Sequence, residues 1–383
     1  MAENETLSQE FRLMLLCLRV DAGEFVESET LKQALIKCGD FHDFVSLLVR
    51  HRVLVPVYYV LREKILWSLL SDHIRTDLVG RVRSLQLRQM KGFRALIEIT
   101  QVFRSKGIEH LCLKGPVLSQ LIYRDPIRRQ FGDLDLLVER GALSKAYFVL
   151  LELGYQSNDG GIVSQRESDD PIWDSLYHIH FQKGEQQIEL HWRLSRNETL
   201  WNVQASRVFI GKQEVTIAGE TLYTLGREHL QLYLTMHGSS HCWNRIKWLH
   251  DIRMINSCHP VEHSLPRSES QNSQLGELRD ELIQRLWPVS LGTSKAREVS
   301  FIGKLCLRQM TTGKEISSDM GNMLRRSVAL LILNKGLRNK LRYLSTLLIW
   351  PPVYFRFNLP RWASFLYYFL GPLSWLTNKL RGN

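Results

Sequence analysis

Two aspartates one residue apart, Asp133 and Asp135 in the run GDLDLLV, and a glutamate farther along, Glu189 in IELHW, are the residues best equipped for chemistry. Alternate side chains of a strand project to the same face, so Asp133 and Asp135 share one face while Leu134 and Leu136 take the other. Two carboxylates held that close repel each other unless a cation lies between them, and hard oxygen ligands of this kind suit Mg²⁺. Taken alone, a D-x-D pair is equally well explained as two solvated acids at a strand end. Glu189, on a strand of its own, supplies a third carboxylate to a centre of two divalent ions about 3.5–4 Å apart. Upstream, Lys114-Gly115 falls at a strand-to-helix turn. There a glycine lets backbone amides approach a phosphate, the helix N-terminus favours anions, and Lys114 adds a point charge. Arg128-Arg129, just ahead of the acids, is available to hold a triphosphate.

Histidines cluster in two places. A two-residue turn at Gly184-Glu185 would pair His180 with Glu189 and His178 with His191, so that His180 can orient the third carboxylate with His191 alongside. Half-buried polar residues on a sheet face explain the same pattern. His237 and His241 are four apart, the spacing of a zinc pair on one helix face, but no H-E-x-x-H context and no clear third ligand accompanies them. The expectation is that this helix packs against the sheet, with His241, Arg245 and Asp251 making polar contacts to the site or the core. Arg245 and Lys247 are the alternative contacts to a nucleotide.

The elements that must position these residues follow from apolar spacing. From Leu7 to about Lys106 apolar residues recur every three or four positions (Phe11, Met14, Leu15, Leu18; Phe44, Val45, Leu48), which predicts a helical N-terminal region over 1–106 with a helix broken at Pro56. At Gly107 the pattern changes to short apolar runs alternating with helical segments, which predicts an α+β catalytic core over 107–220 built on a mixed sheet. Strands are expected at 108–113, 133–138, 177–182, 187–192 and 215–218. Helices are expected through Tyr123 after the Lys114-Gly115-Pro116 turn, with Pro116 as first residue, and from Ala142 to Leu153, the latter stopping at Gly154, with a mobile loop over 156–175. A helical domain packing on the core is predicted over 221–318. It would start near Thr224 as N-cap, run to Ile255, and resume at about 275–291 and 295–310 after a loop over 257–273.

The net charge of +11 is distributed unevenly. After Asp319 there is no Asp or Glu, while ten cations and eleven aromatic residues occur, so 319–383 forms a basic, aromatic-rich tail. The remainder is nearly neutral, which argues against a general nucleic-acid-binding surface. Trp362 to Asn378 is uncharged but interrupted by Gly371-Pro372, and suits an anionic membrane surface better than a span; a helical cap on the protein itself is the competing reading. Six dispersed cysteines (Cys17, Cys38, Cys112, Cys242, Cys258, Cys306) with no C-x-x-C pair give no zinc ribbon and no disulfide framework. With no basic leader before an apolar run, the expected location is the cytoplasm, with the inner face of the membrane as a peripheral site.

Four blocks, LKGPVLSQLIYRDPIRRQFGDLDLLV at 113–138, LLELGY at 150–155, IELHWRL at 188–194 and HGSSHCWNRIKWLHDI at 237–252, resemble the uncharacterised bacterial nucleotidyltransferase family of the DNA polymerase beta-like superfamily. The similarity covers about residues 40–260. The resemblance implies Asp133, Asp135 and Glu189 as metal ligands and Gly115 as the phosphate-turn glycine. Arg129, Trp192, His237, His241, Trp243 and Asp251 fall on positions typical of the family. It further implies two Mg²⁺ ions, a nucleoside triphosphate such as ATP as substrate, transfer of its nucleotidyl group with release of pyrophosphate, and a small-molecule or peptide acceptor in natural-product or surface-molecule biosynthesis. The chain departs from the wider superfamily in reading Lys114-Gly115-Pro116 where that superfamily has Gly-Ser, and in placing Asp133 eighteen positions after Gly115. A D-x-D metal-dependent glycosyltransferase and a catalytically degenerate nucleotide-binding scaffold are the competing readings.

Overall fold

In a computed structural model of the 383-residue chain, the described residues are 7–158, 173, 176–195, 205–258, 273–288, 299–312, 320–334, 336–348, 353, 357, 359 and 361–380. Residues 159–172 of the loop expected over 156–175, residues 259–272 of the loop expected over 257–273, the start of the predicted 295–310 helix and Asp319 lie outside them. The fold is α+β, mostly helical with a mixed five-stranded sheet. The chain forms two compact units, each assembled from separate stretches of sequence.

The first unit comprises Met1–Lys91, Leu118–Phe131 and Gln231–Leu330 and has no strand among its described residues. Its helices Gln9–Asp21 and Phe41–His51 begin where the sequence supplies caps. Ser8 accepts from the Phe11 amide, and Asp40 accepts from the amides of His42 and Asp43. The recurring apolar residues, Phe11, Met14, Leu15 and Leu18 with Phe44, Val45 and Leu48, are buried. Pro56 does not break a helix as expected. It occupies the first turn of Leu54–Leu61, where an amide has no intrahelical partner to lose. The single helix predicted up to Ile255 is instead two, Arg227–Ser240 and Ile246–Cys258, separated where Cys242 (φ 48°) and Trp243 (φ 50°) adopt left-handed backbone. There the buried Trp243 folds back over Gly238, whose place no larger residue can take: a Cβ would lie 2.2 Å from the indole.

The second unit comprises Gly92–Val117, Gly132–Leu230 and Leu331–Asn383 and carries every strand found among the described residues. Five of them, β1 (His110–Cys112), β2 (Asp133–Val138), β3 (Gln156–Ser157), β4 (His178–Lys183) and β5 (Gln186–His191), form one sheet in the order β1-β2-β5-β4-β3. β2 and β5 are parallel, as a long crossover containing helix Leu143–Glu152 permits, and the other pairs are antiparallel. One sheet face is core: Leu134, Leu136, Val138, Phe181, Ile179, Ile188 and Leu190 are all buried. Each contributes roughly 1.5–3 kcal/mol by leaving water. The opposite face carries the polar residues. β3 falls in a segment the sequence reads as loop, and its two residues carry no alternation to announce a strand.

A two-stranded sheet, β6 (Gln213–Ile217) with β7 (Glu220–Thr224), was only half legible. Thr224 ends a strand rather than capping a helix, because Ala218 (φ 51°) and Gly219 (φ 82°) both take the left-handed backbone that closes a tight hairpin. In the tail, helices Leu337–Leu348 and Tyr367–Leu380 pack together, and the second runs through Gly371-Pro372 without the one hydrogen bond that Pro372 cannot donate.

Candidate active site

Strand register brings the three carboxylates together. In the parallel β2–β5 pair Asp135 lies beside Glu189 and Asp133 beside Gln187, so both aspartates and the glutamate project from the polar face. One carboxylate oxygen from each of Asp133, Asp135 and Glu189 lies within 4.8 Å of the others. The antiparallel β4–β5 register continues the row, with His180 opposite Glu189 and His178 opposite His191, the pairing that the Gly184-Glu185 turn predicts.

Asp135 is the buried member, 3 % exposed, and its oxygens are treated unequally. Oδ1 has the ammonium of Lys114 at 2.9 Å and His191 Nε2 at 3.4 Å. Oδ2 is buried with no hydrogen-bond donor among the described residues. A buried carboxylate oxygen without a donor is costly, and an all-oxygen set of three acids supplies what a hard divalent cation would take. The donor set therefore fits such an ion. Lys114 reaches Asp135 because its predecessor Leu113 donates its amide to the Asp135 carbonyl, extending β1 beside β2. Gly115, next along, has φ +67°, a conformation in which a β-carbon is strained, and opens helix Gly115–Tyr123.

The electrostatics are set by His191, whose Nε2 is 3.2 Å from Glu189 Oε2. Burial alone would lower the pKa of His191, but its hydrogen bonds to Asp135 and Glu189 and their negative charges raise it to about 9. Burial would raise the pKa of Glu189, and the hydrogen bond and charge of His191 reverse this, leaving it below the usual carboxylate range. His178 is held well below the ordinary imidazole range by burial and by neighbouring His191, His180 and Lys114, and so stays neutral. His180 Nδ1 lies 3.6 Å from Glu189 Oε1, and its Nε2 is 2.9 Å from that of His178.

Lys114, Gly115, Asp133, Asp135, His180, Glu189 and His191 thus stand together in the second unit. The remaining sequence candidates belong to the first. Arg129, 2 % exposed, donates from Nε and Nη2 to the two oxygens of Asp251, each at 2.9 Å, so its fork is matched to a carboxylate of its own unit. Lys247 donates to the Gln130 carbonyl. His241 faces Arg326 through Nδ1 at 2.9 Å and stacks on Trp248, while Arg245 is half-buried at the start of the same helix segment. His237 packs edge-on against Trp248. Sequence reasoning gave Lys114 to a phosphate and His178 no role. For His178 the signal was strand parity, which puts it on the face of His180; Lys114 follows Leu113, the register neighbour of Asp135, and no parity signal marks its contact.

Residues 37–263 match the family described as uncharacterised nucleotidyltransferase. Comparison with curated proteins produced no match. Comparison with solved structures produced none either. With most of the chain matched, including β1, β2, β4, β5 and every carboxylate of the site, this protein belongs to that nucleotidyltransferase family.

Proposed function

We propose that the chain transfers a nucleotidyl group from a nucleoside triphosphate to a small-molecule or peptide hydroxyl, releasing pyrophosphate. The observation that carries the reading is the convergence of Asp133, Asp135 and Glu189 on adjacent strands of a nucleotidyltransferase-family chain. These three residues would hold Mg²⁺, two ions in this reading, which when bound supply charge neutralisation along the triphosphate. Lys114 and His191 both hold the Asp135 carboxylate through Oδ1, so the acids are oriented before substrate arrives. The turn at Gly115 presents backbone amides at a helix start, the place for a phosphate oxygen. The acceptor oxygen forms its new bond to the α-phosphorus, the bond from that phosphorus to the pyrophosphate oxygen breaks, and the hydroxyl proton passes to Glu189, which His191 keeps ionised.

The test is incubation of the full chain with α-labelled ATP, GTP, CTP and UTP, Mg²⁺ and candidate acceptors drawn from the products of neighbouring genes. Label transfer with pyrophosphate release supports the reading, and Asp133→Ala should abolish it while leaving the circular dichroism spectrum unchanged. Full turnover by Asp133→Ala would sink the assignment. Binding of nucleotide sugars in place of triphosphates would favour glycosyl transfer, and triphosphate binding without release under any acceptor would favour a scaffold.

The tail supports a peripheral place on an anionic membrane surface at the inner face. Leu337, Leu341 and Leu344 line one face of helix Leu337–Leu348, exposed at 73 %, 56 % and 41 %, with Arg338 and Lys340 beside them. Trp362, Phe365 and Phe369 are exposed in the following helical segment. No helix among the described residues is long and apolar enough to cross a membrane. Apolar residues mixed with cations and no acids match the chemistry of an anionic bilayer surface.

A further inference from the structure

The imidazoles beside the carboxylates make a ligand set of a different kind. His178 on β4 and His191 on β5 face each other across the antiparallel register, and Glu189, two residues before His191, projects from the same face. One donor atom from each of His178, Glu189 and His191 lies within 4.8 Å of the others. The two rings have centroids 5.0 Å apart and are inclined at 58°, so they converge without stacking. Nδ1 of His178 and Nδ1 of His191 are both buried with no hydrogen-bond partner among the described residues, and His191 is 2 % exposed. Buried ring nitrogens left without a partner are a cost that a bound ion removes. His180, whose Nε2 is 2.9 Å from His178 Nε2, fixes the orientation of the His178 ring in the manner of the outer partners of metal-bound histidines.

We propose that His178, His191 and Glu189 form a second metal site that takes a first-row transition ion, with Glu189 shared between it and the carboxylate group of Asp133 and Asp135. Two imidazoles and one carboxylate suit Zn²⁺, Co²⁺ or Mn²⁺, whereas Mg²⁺ prefers the oxygen donors of the three acids. The two ligand sets therefore differ in hardness although they share a residue. The site stands on the ligand geometry and does not depend on nucleotidyl transfer.

The experiment uses the full chain, stripped with a chelator and supplied with excess Mg²⁺, then titrated with Co²⁺. One equivalent of Co²⁺ should bind in the presence of Mg²⁺ and give visible d–d absorption, and Mn²⁺ in its place should show ¹⁴N couplings by pulsed electron paramagnetic resonance. His178→Gln and His191→Gln should each weaken Co²⁺ binding at least about tenfold and reduce the ¹⁴N coupling, while Asp133→Asn keeps both signals. His178 stands at the start of β4 and is only half-buried, so His178→Gln keeps the test decisive if His191→Gln fails to fold. An unchanged Co²⁺ spectrum in His178→Gln, or no Co²⁺ binding against Mg²⁺, overturns the proposal and leaves His191 as an ion-pair partner of Asp135 and Glu189. Because no readout is turnover, loss of transfer in Asp133→Asn with an intact Co²⁺ spectrum separates this site from the reaction.

Discussion

At the residue scale, the side chains divide into those that meet on the sheet and those that hold the helical unit. Arg129 belongs to the second kind. Its guanidinium and the Asp251 carboxylate are both almost wholly buried and meet in a two-pronged ion pair. Removing one partner strands the other charge in the interior, so Arg129→Ala should cost about 3–5 kcal/mol, seen as an earlier chemical denaturation midpoint. Arg129→Lys should recover only part of this, because a single ammonium cannot reproduce the planar fork. An Arg129→Ala protein that denatures at the wild-type midpoint but loses triphosphate affinity would return this residue to the nucleotide. The pair was legible only as two family-typical positions, since residues 122 positions apart carry no mark of their contact.

At the element scale, two helices of the first unit are joined by one imidazole. His51, the last residue of helix Phe41–His51, accepts through Nδ1 from the amide of Ile246, which opens helix Ile246–Cys258. Burial, with a further contribution from the Arg50 charge, pushes its pKa down to about 3. Above the unfolded pKa of about 6.5 both states are neutral; below it the unfolded chain takes up a proton that the folded chain refuses, so stability falls as pH drops from 6.5 towards 3. Between pH 7.5 and pH 5 this group alone should remove roughly 2 kcal/mol, and His51→Gln, which keeps an acceptor but does not titrate, should flatten that part of the thermal-stability profile. An equally steep profile in His51→Gln would place the pH dependence elsewhere. In the tail, Leu341→Glu with Phe369→Glu replaces exposed apolar residues by charge on two helical segments, at little cost to packing. Flotation with phosphatidylserine vesicles should fall at least about tenfold in this variant and weaken with salt; equal flotation removes the membrane reading.

For the whole molecule, the ligands of both candidate metal sets lie in the second unit, while the helical unit holds the buried Arg129–Asp251 ion pair and the buried His250–Asp21 contact. An ion that binds only the folded chain stabilises it by mass action, about 2.7 kcal/mol at one hundred times its dissociation constant. Mg²⁺ should therefore raise the thermal midpoint of the wild-type chain by several degrees, and Asp133→Asn should remove most of that rise without lowering the metal-free midpoint. A Mg²⁺ response unchanged in Asp133→Asn would show that the ion binds elsewhere. The net charge of +11 does not bear on this site, since its excess is concentrated after Asp319.

Features whose evidence is local were legible in the amino-acid order. Alternation in GDLDLLV fixed β2 to its observed ends, and the Gly184-Glu185 turn fixed which histidine faces which residue of β5. The four blocks carried the family. Tertiary structure alone decided what depends on strands far apart in the chain. That β2 and β5 run parallel and adjacent, with Asp135 beside Glu189, follows from the sheet order β1-β2-β5-β4-β3, and no residue type announces a neighbour more than fifty positions away. The same holds for Lys114, whose charge goes to Asp135 because β1 lies antiparallel to β2. Side-chain type and spacing set which chemistry was available; pairing across the sheet decided which groups meet to perform it.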